Sequence, residues 1–153
     1  RKNYFDPNIR KQYAIDYVNN NLLQGYLAYA DGKVIGWCNA NSRKDCLHCF
    51  GWKNLIENKQ INKKSKEKIK SVFCFTVAPE MRGKGIASAL LEKVIEDARA
   101  DGYDYIEAYP NKEKTDMYYN YVGPLNLYKK FGFEMCAETK WRLVLRKSLK
   151  SCS

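Results

Sequence analysis

A strand, a basic loop and a helix follow one another between residues 71 and 100, and this order constrains the fold most. Ser71 to Ala78 is an almost continuous apolar run, which is typical of a strand buried on both faces of a sheet. Pro79 ends that strand. The helix that follows, to about Ala100, has apolar residues at helical spacing, namely Ile86, Ala87, Leu90, Leu91, Val94, Ile95 and Ala98. The pattern predicts an α/β domain whose central strand leads directly into a long amphipathic helix.

The loop between this strand and helix has the composition of an anion site. The first turn of a helix presents free backbone N–H groups and a partial positive charge. Gly83 and Gly85 have no Cβ, so a ligand can approach the backbone closely, and Arg82 and Lys84 add positive charge. The loop therefore predicts a cradle for a diphosphate group.

Three kinds of phosphate loop are compared with this segment. A Walker loop requires Gly-x-x-x-x-Gly-Lys-Ser/Thr, and that spacing is absent. A dinucleotide fingerprint would run from Gly83 through Gly85 to Ser88, but Ser88 stands where the fingerprint has its third glycine. The fingerprint also requires an acidic residue at the end of the next strand, whereas Glu107 is predicted to lie in the middle of its strand. The signature Gln/Arg-x-x-Gly-x-Gly/Ala is met by the residues from Arg82 to Ala87.

That signature, with a second one further along, resembles the GNAT superfamily of N-acetyltransferases. The second match is Leu-Tyr-Lys-Lys-Phe-Gly-Phe at 127–133, which resembles the family's C-terminal helix. The clear resemblance covers about residues 71–139, and it extends more weakly over the whole chain. The strand at 36–40 resembles a bacterial subgroup of uncharacterised substrate.

The resemblance implies an α/β (α+β) fold with a central, mixed but mostly antiparallel twisted sheet of six to seven strands, flanked by helices. We expect one domain over 1–153: a helix, a hairpin and a basic loop in 1–70, an acetyl-CoA-binding core in 71–139, and a last strand with a tail in 140–153. The family's usual first strand and helix are expected to be absent from this chain. The other elements predicted from local patterns are helices at 7–20, 52–57 and 124–131 and strands at 25–30, 33–40, 103–109, 133–139 and 141–146.

The family's activity implies a cofactor site on this chain. GNAT enzymes pass an acetyl group from acetyl-CoA directly to an amine, so we expect acetyl-CoA as co-substrate and no metal. The cradle would hold the pyrophosphate and the strand edge would pair with pantetheine, with a backbone N–H near Val77 stabilising the oxyanion. The residues implied for cofactor binding are Phe75, Thr76, Val77, Arg82, Gly83, Lys84, Gly85, Ile86, Ala87, Ser88, Asn111 and Tyr128.

The resemblance also implies catalytic roles. Tyr128 matches the tyrosine that commonly protonates the sulfur of CoA, and a phenol is neutral at pH 7. Many family members place a base Glu in the strand before the cradle, but Ser71 to Ala78 holds no carboxylate. Glu107 is the first candidate for the base because it is an ionisable group in mid-strand, where it is predicted to share a face with Tyr103, Tyr105 and Tyr109. Asp116 is the second candidate, and a chain of waters is a further alternative.

A Tyr-rich loop precedes the helix that carries Tyr128. Residues 118–121 read Tyr-Tyr-Asn-Tyr, and they either line the acceptor site or pack against one another. The acceptor is expected to be a small-molecule or peptide amine, and the protein a monomer or homodimer. A cationic protein is a poor long-range attractor of polyamines, which argues against those acceptors.

The net charge of the chain indicates which kinds of partner it would bind. Lys and Arg number 27 against 17 Asp and Glu, a net charge of +10, which favours an anionic partner. The lysine-rich stretch from Lys53 to Lys70 is predicted to be a solvated loop, with a nucleic-acid-binding module as an alternative function.

The pair Cys46 and Cys49 has metal-ligand spacing but no second pair, so no metal site is expected. No signal peptide or membrane-spanning run is visible, and the six cysteines fit a reduced cytoplasmic setting.

Overall fold

The computed structural model describes residues 5–48, 66–113 and 120–151. Three helices and six strands form in this part of the chain. In chain order they are α1 (Pro7–Asn19), β1 (Gly25–Ala30), β2 (Lys33–Ser42), β3 (Ile69–Val77), α2 (Ile86–Ala100), β4 (Tyr105–Ala108), α3 (Leu125–Lys130), β5 (Glu134–Glu138) and β6 (Leu143–Ser148). Short 3₁₀ helices follow β2 at Arg43–His48 and β3 at Pro79–Met81.

The strands form one mixed sheet in the order β1-β2-β3-β4-β6-β5. Every neighbouring pair is antiparallel except β3 and β4, which run parallel because α2 connects them. The parallel pairing joins Ile69–Val72 to Tyr105–Ala108 and stops there, although β3 continues to Val77. The edge of β3 over residues 73–77 therefore diverges from β4, and a gap opens in the middle of the sheet.

The main core lies between the sheet and α2. Five of the seven apolar positions of α2 that the sequence predicted to face inward are buried, among them Leu91 and Val94, and the other two, Ile86 and Ala87, are partly buried. They pack against buried residues of β2, β3 and β4 such as Cys38, Val72 and Ile106. This packing fixes the start of α2, and with it the basic loop, beside the end of β3.

Gly36 on β2 allows that close approach. A Cβ built at Gly36 would lie 2.8 Å from Cγ2 of Ile86, the first residue of α2. Since real Cβ atoms essentially never make such a short contact, glycine at this position sets how near the first turn of α2 comes to the sheet.

A smaller cluster lies on the opposite face of the sheet. It contains Cys46, Tyr109 and Val144, with Phe73 and Ala137 packed against it. Tyr103 does not belong to this face, because it packs against the main core. The predicted alignment of Tyr103 with Glu107 was wrong, because β4 begins at Tyr105 and strand alternation does not reach residue 103.

Helix α1 begins where the sequence predicted. The side chain of Asp6 accepts a hydrogen bond from the backbone N–H of Asn8 at 2.8 Å, and Pro7 occupies the first turn. However, α1 has no buried residue, so its apolar positions such as Tyr17 and Val18 remain largely exposed. The helical spacing correctly predicted the helix, but it did not predict packing against the sheet.

The mixed sheet of six strands flanked by helices confirms the expected fold class. Observed strand ends differ from the predicted ones by about two residues, which is usual for boundaries taken from pattern alone. The predicted helix at 52–57 lies outside the described residues. Within the three described ranges, no helix is both long enough and apolar enough to cross a membrane.

Candidate functional site

A cavity of about 710 Å³ lies at the end of β3, where the sheet diverges. One wall is the edge of β3, the second is the loop and first turn of α2, and the third is the segment from residue 120 to α3. The lining residues are Phe75, Thr76, Val77, Met81, Arg82, Gly83, Gly85, Ile86, Ala87, Ser88, Asn120, Tyr121, Gly123, Pro124, Asn126, Leu127 and Lys130. The cavity thus joins the basic glycine loop to the part of the β3 edge that β4 does not pair with.

The glycine loop adopts a backbone that other residues rarely reach. Gly83 has φ of +74° and Gly85 has φ of +81°, and Gly85 is the N-cap of α2. A Cβ at either position would meet no atom within 4 Å, so the glycines serve the backbone conformation and the openness of the loop rather than internal packing. The first N–H groups of α2 have no acceptor within the helix and lie at the cavity wall.

Arg82 and Lys84 place positive charge at this loop. Both side chains are exposed, and Nε of Arg82 donates to the backbone carbonyl of Val77 at 3.3 Å. With the positive end of the α2 dipole, these cations make the mouth of the cavity electropositive. The arrangement suits a ligand that carries phosphate groups.

Tyr128 lies on α3 directly behind the cavity wall. The residue is fully buried, and its ring packs against those of Phe75 and Phe133. Burial raises the pKa of the Tyr128 hydroxyl well above its ordinary value, so the phenol keeps its proton at neutral pH. The hydroxyl donates a 2.5 Å hydrogen bond to the backbone carbonyl of Val122.

The segment Asn120–Gly123, here called the strap, crosses the gap in the sheet. The backbone carbonyl of Tyr121 accepts a 2.6 Å hydrogen bond from the N–H of Phe75 on β3. The phenol of Tyr121 accepts from Nη2 of Arg142 at 3.3 Å, and Nη1 of Arg142 donates to the carbonyl of Tyr109 at 3.1 Å. The strap therefore connects both sides of the gap.

Glu107 lies at the centre of a buried polar network on the opposite face of the sheet. Its Oε1 accepts from Arg43 at 2.8 Å and from Arg146 at 2.6 Å, and its Oε2 accepts from the hydroxyl of Tyr109 at 3.1 Å. The hydroxyls of Tyr109 and Ser71 are 2.7 Å apart and extend the network. Burial, followed by the charge of Glu107, raises the pKa of Tyr109 well above its ordinary value.

The family model for the acetyltransferase (GNAT) family matches residues 2–133 of this chain. The chain belongs to the GNAT family. The match includes the glycine loop, the strap and Tyr128, and it confirms the resemblance on which the expected fold rests.

Solved structures agree with this GNAT fold at low identity. A GNAT-family protein from Desulfovibrio desulfuricans is 14% identical, with a TM-score of 0.65 over 97% of this chain and 86% of its own. A ribosomal-protein-alanine N-acetyltransferase from Brucella melitensis is 19% identical, with a TM-score of 0.60 over 94% and 78%. The yncA protein from Salmonella typhimurium, solved with its cofactor acetyl-CoA, is 15% identical, with a TM-score of 0.61 over 95% and 76%. At these identities the likeness shows the fold.

Most of the residues expected to hold the cofactor of this GNAT domain line this cavity. The exceptions are Lys84, Asn111 and Tyr128, which are not among the lining residues. Lys84 is exposed on the same loop, Asn111 forms a β-bridge with Arg142, and Tyr128 is covered by the strap. Asn120 and Tyr121, from the Tyr-rich loop, line the cavity, whereas Tyr118 and Tyr119 lie outside the described residues.

Of the two carboxylates predicted as candidates for the general base, the structure describes Glu107 and not Asp116. Glu107 does not line the cavity, and its oxygens already accept from two guanidinium groups and a phenol. This position does not favour the predicted role as base. Asp116 lies outside the described residues, so its role stays a prediction.

The predicted absence of a metal site concerns residues that are only partly described. Cys46 is buried and its thiol lies 3.4 Å from the backbone carbonyl of Ser42, while Cys49 falls outside the described ranges. Among the residues that the structure describes, no group of three or more His, Cys, Asp and Glu side chains is placed to hold a metal ion.

Arg43, beside Glu107, and Arg142, beside the strap, are two arginines in these networks that the sequence patterns did not indicate. Arg43 follows β2 and reaches Glu107, 64 positions later, and Arg142 reaches Tyr121 across 21 positions. Neither arginine stands in a recognisable motif. Only the tertiary fold, by placing β6 and the start of the 3₁₀ helix beside β4, brings them to these partners.

Proposed function

We propose that this chain is an acetyl-CoA-dependent N-acetyltransferase that acts on a primary amine. The observation that carries the proposal is one cavity that joins the electropositive glycine loop to the part of the β3 edge that β4 does not pair with, with Tyr128 immediately behind it. Membership of the GNAT family and the acetyl-CoA bound to the yncA protein support the same ligand.

The residues of the cavity fit the two halves of that ligand. The N–H groups at the start of α2, together with Arg82 and Gly85, would hold the pyrophosphate. The edge of β3 at Phe75 and Val77 offers backbone groups that β4 does not use, and these would pair with the amides of pantetheine as an added strand does. Acetyl-CoA supplies the activated acetyl thioester.

Tyr128 would act as the general acid. An ordinary phenol is protonated at neutral pH and burial raises the pKa of Tyr128 further, so Oη holds a proton that it can donate toward a leaving sulfur once a thiolate forms. The apolar rings of Phe75 and Phe133 hold the phenol in one orientation and keep water from it. Since Tyr128 is covered by the strap, this role requires a change in the hydrogen bond to Val122.

The proposed base is a chain of waters or Asp116 rather than Glu107. The carboxylate of Glu107 neutralises Arg43 and bridges it to Arg146 on β6, and both contacts are buried or partly buried. We therefore assign Glu107 a structural role, which is to tie β4 to its neighbours on the face opposite α2.

A small-molecule or peptide amine is the proposed acceptor. The Brucella melitensis relative is a ribosomal-protein-alanine N-acetyltransferase, so the fold is compatible with peptide acceptors. The net charge of +10 disfavours polyamines as acceptors, because like charges repel at long range. A cytoplasmic setting and a monomer or homodimer remain predictions from the sequence.

A second candidate function is acyl-CoA binding without turnover. One observation favours it: the only hydroxyl proposed for general acid catalysis is fully buried and donates to a backbone carbonyl. The nucleic-acid alternative rests on the lysine-rich stretch at 53–70, and most of that stretch lies outside the described residues.

An assay for free CoA thiol separates the two candidates. The protein is incubated with acetyl-CoA and a panel of small amines and of peptides that differ in their N-terminal residue. Release of CoA that depends on one class of amine supports the enzyme. Saturable binding of acetyl-CoA without release by any amine supports the non-catalytic binder and contradicts the proposed transfer.

A further inference from the structure

The strap occupies the hydrogen-bonding positions that the proposed function needs. We infer that the strap is a displaceable plug, which must leave the edge of β3 for acetyl-CoA to bind and which frees the hydroxyl of Tyr128 when it leaves. This inference rests on the proposed function and concerns the regulation of the same site.

The first step concerns the edge of β3. The N–H of Phe75 is already used by the carbonyl of Tyr121, at 2.6 Å. A backbone N–H offers one proton, so a carbonyl of pantetheine and the carbonyl of Tyr121 compete for this donor. The strap also lines the cavity through Asn120, Tyr121 and Gly123. Ligand and strap are therefore alternatives at this part of the strand edge.

The second step links the strand edge to the general acid. Val122, the residue after Tyr121, gives its carbonyl to the hydroxyl of Tyr128. The carbonyls of Tyr121 and Val122 belong to adjacent peptide units of this four-residue strap, and only the φ and ψ angles of Val122 separate them. Both carbonyls accept from groups at the same gap, so a ligand that displaces the strap as a unit removes the acceptor of Phe75 and that of Tyr128 together.

The third step concerns what holds the strap in place. One guanidinium nitrogen of Arg142 donates to the carbonyl of Tyr109, and another donates to the phenol oxygen of Tyr121. The guanidinium carbon lies 5.9 Å from the centre of the Tyr121 ring. Tyr121 is 51% exposed, so this anchor is a surface contact, whereas the side chain of Val122 is buried. The strap also holds the N–H of Phe75 and the hydroxyl of Tyr128, so a ligand displaces it only where its own contacts are worth more than these.

Gly123 gives the strap its end point. It has φ of +87°, and a Cβ there would lie 2.7 Å from the hydroxyl oxygen of Tyr128. Glycine lets the chain turn directly over Tyr128 into α3. The strap is therefore bounded by a residue whose backbone has access to conformations closed to other residues.

Titration calorimetry with acetyl-CoA tests the inference on Tyr121→Phe. This change removes the acceptor of Arg142 but keeps an exposed ring, so the fold is retained. If the strap competes with the ligand, loss of one hydrogen bond raises the open fraction and lowers Kd about two- to tenfold. Tyr29→Phe is the matched control, because Tyr29 is 62% exposed on β1 outside the cavity lining, and its Kd stays that of the wild type.

A second variant and a second readout make the test independent of turnover. Arg142→Lys replaces the guanidinium, whose two nitrogens reach Tyr109 and Tyr121, by a single ammonium that cannot reach both. This variant is also expected to lower Kd. Without ligand, the amide of Phe75 is expected to exchange its hydrogen faster in Tyr121→Phe than in the wild type. A contact that only stabilises the strap without competing with the ligand would raise this exchange rate and leave Kd unchanged, so the two readouts together identify the plug.

The outcomes separate the strap from the cofactor assignment. Tighter binding by both variants, or binding by the variants alone, supports the plug. Wild-type binding that Tyr121→Phe leaves unchanged or weakens overturns the plug and leaves the proposed cofactor intact. Absence of binding by the wild type and by both variants contradicts the proposed cofactor site itself, and the plug falls with it.

Discussion

The hydroxyl of Tyr128 donates to the backbone carbonyl of Val122, and this one hydrogen bond joins the buried helix α3 to the strap over the cavity. Tyr128 is fully buried, whereas Tyr121, one residue before Val122, is half exposed. The contact therefore links the core of the domain to its ligand-facing surface. Its donor is the residue proposed as general acid, so the geometry of the strap bears directly on the chemistry.

Gly123→Ala is expected to destabilise the protein by about 2–4 kcal/mol, because the new Cβ would lie 2.7 Å from the Tyr128 hydroxyl at a φ of +87°. Urea unfolding measures the loss. Gly32→Ala is the control, since Gly32 has φ of +72° with nothing within 4 Å of a Cβ, and it isolates the backbone strain of about 1 kcal/mol. Equal losses in the two variants would contradict the close packing of Gly123 on Tyr128.

Tyr128→Phe is expected to lower kcat with the best acceptor by about 10²-fold, the usual range for removal of a general acid. The binding of acetyl-CoA is expected to be retained or tightened, because the change removes only the hydroxyl that holds Val122. Steady-state kinetics and calorimetry on the same preparation separate the two effects. A variant with normal kcat would exclude Tyr128 as the acid.

Glu107→Gln is expected to cost about 3 kcal/mol of stability, because Arg43 and Arg146 lose their shared counter-charge in a buried site. Unfolding by denaturant measures this cost, and Glu134→Gln on exposed β5 serves as the control. The profile of kcat/KM against pH is expected to keep its shape in Glu107→Gln. If the fall of kcat/KM at acidic pH disappeared in Glu107→Gln while the stability stayed unchanged, Glu107 would be the base.

Lys70→Met is expected to stabilise the protein at pH 7 by about 1 kcal/mol, since replacing a buried charge by an apolar side chain often does so. Lys70 is 6% exposed, and its Nζ lies 3.5 Å from the side-chain oxygen of Gln24 and 5.2 Å from the centre of the Tyr103 ring, with the carboxylates of Asp101 and Asp97 acting on it at longer range. Burial lowers the pKa of Lys70 below its ordinary value.

The sign of the pH dependence follows from that lowered pKa. Between the folded pKa of Lys70 and the unfolded value of about 10.4, the unfolded chain binds more protons, so wild-type stability rises with pH in this window. The advantage of Lys70→Met is therefore expected to shrink between pH 7 and pH 10. Urea unfolding at both pH values tests this, with exposed Lys33→Met as the control. An advantage that grows with pH would contradict a lowered pKa.

The strand, loop and helix from residue 69 to residue 100 were predictable because their signals are local. The continuous run of apolar residues predicts β3, and the helical spacing of apolar residues predicts the buried face of α2. The glycines at 83 and 85 predict the turn between these two elements. These same elements form two of the three walls of the cavity. The local pattern therefore predicted most of the lining residues.

The rest of the site depends on contacts between distant parts of the chain. Arg43 meets Glu107 across 64 positions, and Arg146 meets it across 39. A strand pattern shows that Glu107 alternates with its neighbours, but it does not show which charges the next strands bring to it. Glu107 therefore had the sequence signature of a functional carboxylate, and only the fold showed that it is paired with two arginines and a tyrosine.

Calorimetric titration with acetyl-CoA on the wild type, Gly85→Asp and Gly102→Asp tests the central claim most directly. Gly85 and Gly102 both have positive φ and open surroundings, at opposite ends of α2, so the two variants add the same charge to similar backbones. We expect saturable binding by the wild type and by Gly102→Asp, and loss of binding by Gly85→Asp, whose carboxylate would repel the phosphates. Binding that Gly85→Asp retains at wild-type affinity would contradict the assignment of this loop as the cofactor cradle.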